Sequence, residues 1–214
     1  MRVQTLARNK EIQPTRLYLI RHGKVADGHT HRYHGNNDIA LSPEGEQQLA
    51  RLAGQLRSVP LAAVYASNLK RARDGAARLC EGRGLTPQPL PEFREIHFGI
   101  WEGLTFEEIA AHYPEELASR LKDLANFRIP GGESLQDVRE RALPRLRELV
   151  AAHPGQSLAL VAHAGVNRVI LCEALSLSLE HLFRLDQNYG CLNIIDYFPD
   201  FTLVRLLNGG INGS

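Results

Sequence analysis

Residues 17–25 read "LYLIRHGKV" and residues 158–166 read "LALVAHAGV". Each apolar run ends, at the same step, in a histidine with a glycine close behind it. A short continuous apolar run bounded by polar sequence is the mark of a buried parallel strand. In an open α/β sheet, ligands bind beyond the carboxyl ends of such strands. His22 and His163 therefore stand where chemistry is presented, and if their strands are neighbours the two imidazoles face one another over a shared pocket.

Around these runs the chain alternates strand and helix. "ALSPEGEQQLARLAGQLRSVP" has a helical period, with Ser42 as cap, Pro43 in the first turn, and Leu49, Leu52, Ala53 and Leu56 on one face. "LAAVYAS" reads as a strand, "NLKRARDGAARLCEG" as a helix and "TPQPL" as a short extended piece. Residues 93–130 are less regular, with the aromatic loop "FGIWEGL" leading into one or two short helices. Ser134 caps a long helix carrying Leu135, Val138, Ala142, Leu146 and Leu149, which Pro144 is expected to bend. "SLALVAH", "GVNRVILCEALS" and then the pair "CLNIIDYF" and "FTLVRLL" complete a strand, a helix and two closing strands. This pattern predicts an α/β fold with a mostly parallel sheet. The expected boundaries are a flexible extension over 1–14, one domain over 15–208 and a flexible tail over 209–214.

The chain has 214 residues, 43% hydrophobic, which suits a single domain with a substantial core. Its 25 Lys and Arg nearly balance 24 Asp and Glu. No global field therefore draws it to nucleic acid or an anionic membrane. The three cysteines, Cys80, Cys172 and Cys191, show no paired spacing, which argues against a disulfide framework or a thiolate metal site. A cytoplasmic protein without a membrane span is expected.

Charge is instead local. Arg21 precedes His22, and Arg71 lies just past the strand "LAAVYAS" at a helix start, where guanidinium and backbone donors both suit phosphate oxygens. Two arginines and two histidines at one sheet edge point to a compact anion site. "PEFREIHFGIWEG" adds Glu92, Glu95 and Glu102, with Phe93, Phe98 and Trp101 as apolar shields. A carboxyl beside a phosphate and partly shielded from water can hold its proton near neutrality and act as an acid. Spacing does not choose among the three.

The ordered motifs "LIRHG", "G..D..LSPEG", "SNLKRAR", "FREIHFGIWEG", "PGGES" and "VAHAGVNR" resemble the histidine phosphatase superfamily, the phosphoglycerate mutase-like proteins, over roughly residues 16–198. The wording is most similar to the α-ribazole phosphatase branch. The resemblance implies a three-layer α/β/α fold. It also implies a phosphomonoesterase that passes through a phosphohistidine without a cofactor or metal. A small-molecule phosphate ester is its substrate, α-ribazole 5'-phosphate of cobalamin nucleotide-loop assembly being the branch's own. By the same resemblance His22 is the nucleophile and Arg21 and Arg71 grip the phosphoryl oxygens. His163 is the second pocket histidine, donating to the phosphoryl group, and Glu95 is the general acid.

Lys24 replaces an acidic residue common after the RHG triplet, Gly75 a threonine, and His97 an acidic or amide residue. Lys24, His34 and His97 are expected at the substrate rim, and Gly75 is expected to loosen its helix. The alternatives are a broad-specificity phosphatase or a phosphoglycerate mutase and, in another class, a non-catalytic phosphate-binding or protein-interaction module. A zinc site at His29, His31 and His34 lacks an evident completing ligand. Oligomeric state is open, with a homodimer among the options.

Overall fold

The computed structural model describes residues 13–28 and 30–210. The expected extension over 1–14 therefore falls almost wholly, and the tail partly, outside the described residues. Six strands form one sheet: β1 (Thr15–Arg21), β2 (Leu61–Ala66), β3 (Gln88–Pro89), β4 (Ser157–Ala162), β5 (Leu192–Tyr197) and β6 (Thr202–Gly209). Their order is β3-β2-β4-β1-β5-β6. The contacts β2·β3, β2·β4 and β1·β4 are parallel, and β1·β5 and β5·β6 are antiparallel. Gly209 closes β6.

Successive side chains of a strand point to opposite faces, and here both faces are covered. Leu17 and Leu19 of β1 join Leu158 and Leu160 of β4 in one core cluster, while Tyr18, Ile20, Ala159 and Val161 belong to another. Helices α1 (Pro43–Gln55) and α2 (Lys70–Cys80) cover the second cluster; α5 (Leu135–Ala152) and α6 (Ala164–Ala174) cover the first. The result is three layers, α/β/α. Two short helices, α3 (Phe106–His112) and α4 (Pro114–Lys122), stand in the region read as irregular. No helix among the described residues is long and apolar enough to cross a membrane.

Local chemistry sets the helix ends. The Ser42 hydroxyl accepts from the Gly45 N–H ahead of α1, and Ser134 forms a reciprocal capping box with Asp137 ahead of α5. α5 runs through Pro144 without ending there. Gly75 does not interrupt α2: it is buried, and a Cβ there would lie 3.0 Å from Leu49 Cδ1 and 3.3 Å from Val161 Cγ1. The missing side chain lets α2 sit close to α1 and the sheet. Cys80, Cys172 and Cys191 are free and buried.

Candidate active site

The parallel β1·β4 register pairs Arg21 with Ala162, so the residues that follow, His22 and His163, leave the sheet at one level. The His22 N–H donates to the Ala162 carbonyl at 3.1 Å. The two rings meet edge to face with centroids 5.1 Å apart. β2 flanks β4 on its other side, and the chain beyond it carries Arg71 to the same sheet edge.

Gly23 permits the tight exit after His22, because a Cβ there would fall 2.3 Å from the Gly45 carbonyl oxygen. That backbone also fixes the imidazole. His22 Nδ1 lies 2.7 Å from the Gly23 carbonyl oxygen, and since a carbonyl can only accept, Nδ1 carries the proton. Nε2 is left with its lone pair and without a hydrogen-bond partner among the described residues. Burial first, then the charges of Arg71 and Arg21, holds the His22 pKa well below its ordinary 6.5. The same causes, together with His22 itself, depress His163. His163 is wholly buried, and neither of its ring nitrogens has a hydrogen-bond partner among the described residues.

Arg71, 2% exposed, donates to the carbonyls of Gly35 (2.6 Å) and Asn37 (2.7 Å). Arg21 donates to the Gln187 carbonyl (2.6 Å) and lies over the Tyr189 ring, 3.8 Å from its centroid, while its buried Nε has no partner among the described residues. Of the three candidate glutamates only Glu95 lines the cavity. Its Oε1 accepts from the Ile96 N–H and its Oε2 from the Gly165 N–H, each at 3.0 Å, so the carboxylate sits on the first turn of α6. Gly165 makes this approach possible, since a Cβ there would collide with Glu95 Oε1 at 2.4 Å. Glu102 instead accepts from the Phe98 and Asn36 N–H groups and braces its own loop.

The cavity has a volume of about 390 Å³, and Arg21, His22, Arg71 and Glu95 are on its wall. His163 is in edge-to-face contact with His22 at the cavity floor. His34 lines the cavity, with Nε2 2.9 Å from Asp27 Oδ1. Lys24 and His97, expected at the rim, are not among the residues that line the cavity. The Lys24 ammonium pairs with Glu44 at 2.7 Å, and the His97 Nδ1 accepts from the Gly99 N–H. Both are drawn into local backbone and ion-pair contacts that the sequence pattern does not reveal. Phe98 and Trp101 do line the cavity, whereas Phe93 is core. His29 lies outside the described residues, and His31 is exposed.

Several contributors had no sequence signal. Tyr189 and Gln187 sit in "LDQNYG", a stretch without a motif, yet they hold Arg21. Arg141, on the long helix α5, donates to the Glu92 and Glu95 carbonyls and pairs with Glu133, fixing the backbone that presents Glu95. Arg120 and Arg168 add positive charge to the wall.

Comparison with known proteins agrees with this geometry. The chain is 34% identical over 197 residues to the bifunctional protein Rv2228c of Mycobacterium tuberculosis, covering 91% of this chain and 54% of that protein. It thus spans about half the length of the relative. It is 30% identical over 193 residues to the adenosylcobalamin/alpha-ribazole phosphatase of Salmonella typhimurium, covering 90% of this chain and 96% of that one. Among solved structures, Bacillus stearothermophilus YhfR superposes with a TM-score of 0.85 at 31% identity, over 92% of this chain and all of that one. The family model described as histidine phosphatase superfamily (branch 1) matches residues 17–209. Paired strand-end histidines, a close mycobacterial and a close salmonella relative, and that match over nearly the whole described chain lead to one conclusion: this protein belongs to the histidine phosphatase superfamily, branch 1.

Proposed function

We propose that the protein is a phosphomonoesterase that works through a phosphohistidine at His22. The observation that carries this reading is the geometry at His22: Nδ1 is tied to the Gly23 carbonyl and Nε2 is left without a partner among the described residues, beside buried nitrogens of Arg21 and His163 that likewise have none there. Buried unsatisfied donors are costly and rare. A phosphoryl group is the partner they suit.

In this scheme the Nε2 lone pair attacks phosphorus while the bond to the ester oxygen breaks. Glu95, in its protonated form, gives its proton to the departing oxygen. Water then attacks the phosphorus of phospho-His22, Glu95 takes the proton back, the N–P bond breaks and inorganic phosphate leaves. Arg21, Arg71 and His163 support the charge that spreads over the phosphoryl oxygens in both steps. Because the first displacement puts phosphorus on nitrogen and the second removes it, configuration at phosphorus is retained.

α-Ribazole 5'-phosphate is the first substrate to test, since sequence resemblance and the Salmonella relative both lead to it. The test is a hydrolysis panel under identical conditions comparing α-ribazole 5'-phosphate, phosphoglycerates, sugar phosphates and phosphopeptides. Release of phosphate from a subset with kcat/KM in the enzymatic range of about 10⁴ M⁻¹s⁻¹ or above supports the reading. Transfer between phosphoglycerates without net release would replace it with a mutase.

A further inference from the structure

The two arginines of the cavity floor are held by different means. Arg71 donates to two carbonyls, whereas Arg21 relies on the loop 186–190, which supplies the Gln187 carbonyl and the Tyr189 ring. An arginine side chain has many rotamers, so its use to a phosphoryl group depends on what fixes it. The loop is itself anchored from within. Gln187, 1% exposed, meets Asn193 of β5, fully buried, amide to amide. Gln187 Nε2 donates to Asn193 Oδ1 at 2.8 Å, and Asn193 Nδ2 donates back to Gln187 Oε1 at 2.9 Å. The same two nitrogens also reach backbone: Gln187 Nε2 donates to the Asp186 carbonyl at 2.8 Å and Asn193 Nδ2 to the Leu19 carbonyl at 3.1 Å. From β6, the Asn208 N–H donates to Asn193 Oδ1 at 2.8 Å, and Asn208 Oδ1 accepts from the Asn188 N–H at 2.7 Å.

Buried amides are costly unless hydrogen-bonded, and once every N–H is donated they admit one arrangement where apolar side chains of the same volume would only fill space. What this pair fixes is a position. Leu19 lies two residues before Arg21 on β1, and Gln187 carries the carbonyl to which Arg21 donates. The strand that Arg21 leaves and the loop that it reaches are therefore tied to the same two amides.

We infer that Gln187 and Asn193, with Asn208 holding the loop from β6, are positioning residues for Arg21: they set the Gln187 carbonyl and the Tyr189 ring, and through these the angle at which the guanidinium meets the phosphoryl oxygens. The inference rests on the phosphatase reading and deepens it. None of the three is required to touch substrate, so each acts only as far as Arg21 does.

The test is a mutant cycle on 4-nitrophenyl phosphate, whose leaving group needs little help from Glu95. Gln187→Met combined with Asn193→Leu replaces both amides by apolar groups of similar size, and such paired replacements cost little stability. Asn208→Gly removes the acceptor for the Asn188 N–H at a position where φ is +50°, which glycine adopts freely. Each is made in the wild-type chain and in Arg21→Ala. In the wild-type background the paired variant should lower kcat/KM by about 10- to 100-fold and weaken inhibition by vanadate in parallel, and Asn208→Gly should lower it about two- to five-fold. In Arg21→Ala both should change it less than about two-fold, because the group they position is gone. Equal fractional losses in the two backgrounds, or wild-type kcat/KM in the folded paired variant, would overturn the inference and leave the phosphatase intact. Should the paired variant not fold, Asn208→Gly decides: a loss confined to the Arg21 background supports the inference, and unchanged kcat/KM overturns it. Wild-type activity in Arg21→Ala itself would bring down the phosphoryl-gripping role of Arg21 and this inference with it.

Discussion

The floor and the wall of the cavity are built by different means. The floor, His22, His163 and the arginines at the carboxyl ends of β1, β4 and β2, is held by backbone. Parallel register sets the level of the two histidines, the Gly23 carbonyl accepts a hydrogen bond from His22 Nδ1–H, and the carbonyls of Gly35 and Asn37 anchor Arg71. The wall, α3, α4 and Phe183, is made of side chains on short helices, several of them exposed. Strand ends whose hydrogen bonds are fully committed can align a reaction to within tenths of an ångström. Side chains on short helices can change with little cost to the core, so they are where selectivity is set.

Removing the nucleophile should break the floor most completely. His22→Ala is expected to lower kcat on an aryl phosphate by about 10³-fold or more while circular dichroism stays that of the folded chain. Activity near wild type in that variant would end the assignment of His22. Glu95→Gln should come next, with a loss of about 10²-fold on alkyl esters and much less on 4-nitrophenyl phosphate, because only the poorer leaving group needs a proton in the transition state. Equal losses on both would detach Glu95 from proton transfer.

The pH dependence of kcat sharpens the same picture. Attack needs neutral His22, and burial with Arg71 and Arg21 moves its pKa well below 6.5, so protonation of the nucleophile removes activity only on the acid side of 6.5. An acid limb centred at or above pH 6.5 would contradict that environment. At the wall, Phe183→Ala should raise KM for an aryl ester about three- to ten-fold with kcat nearly constant, as expected for lost apolar contact. A fall in kcat with KM unchanged would move Phe183 into the reacting geometry. The smallest effect belongs to the packing beneath the floor. Gly75→Thr places side-chain atoms against Leu49 and Val161 and should cost about 1–3 kcal/mol of stability, read as a lower urea midpoint at unchanged slope.

This division also decides what could be read before the fold was seen. The floor is legible because its chemistry is short-range: an apolar run, a histidine and a glycine lie within ten residues, and parallel pairing brings two such runs together. Ser42, Pro43 and Ser134 mark helix starts for the same local reason. The choice of Glu95 over Glu92 and Glu102 was not legible from spacing, because it depends on the distant Gly165 N–H and on Arg141, some 46 residues away. The contacts of Lys24 with Glu44 and of His97 with the Gly99 N–H were not legible either, because they depend on how the loops fold back. Arg120 carried no signal at all: on a short amphipathic helix an arginine reads as a solvated face, and only the folded chain shows it turned inward.

The central claim is that phosphorus becomes bonded to His22 Nε2 during turnover. Rapid-quench mixing of the protein with a ³²P-labelled ester should trap label on the chain that is stable in base, labile in acid, and lost in His22→Ala. Turnover of the same ester with no base-stable, acid-labile label on the chain at any quench time would contradict it.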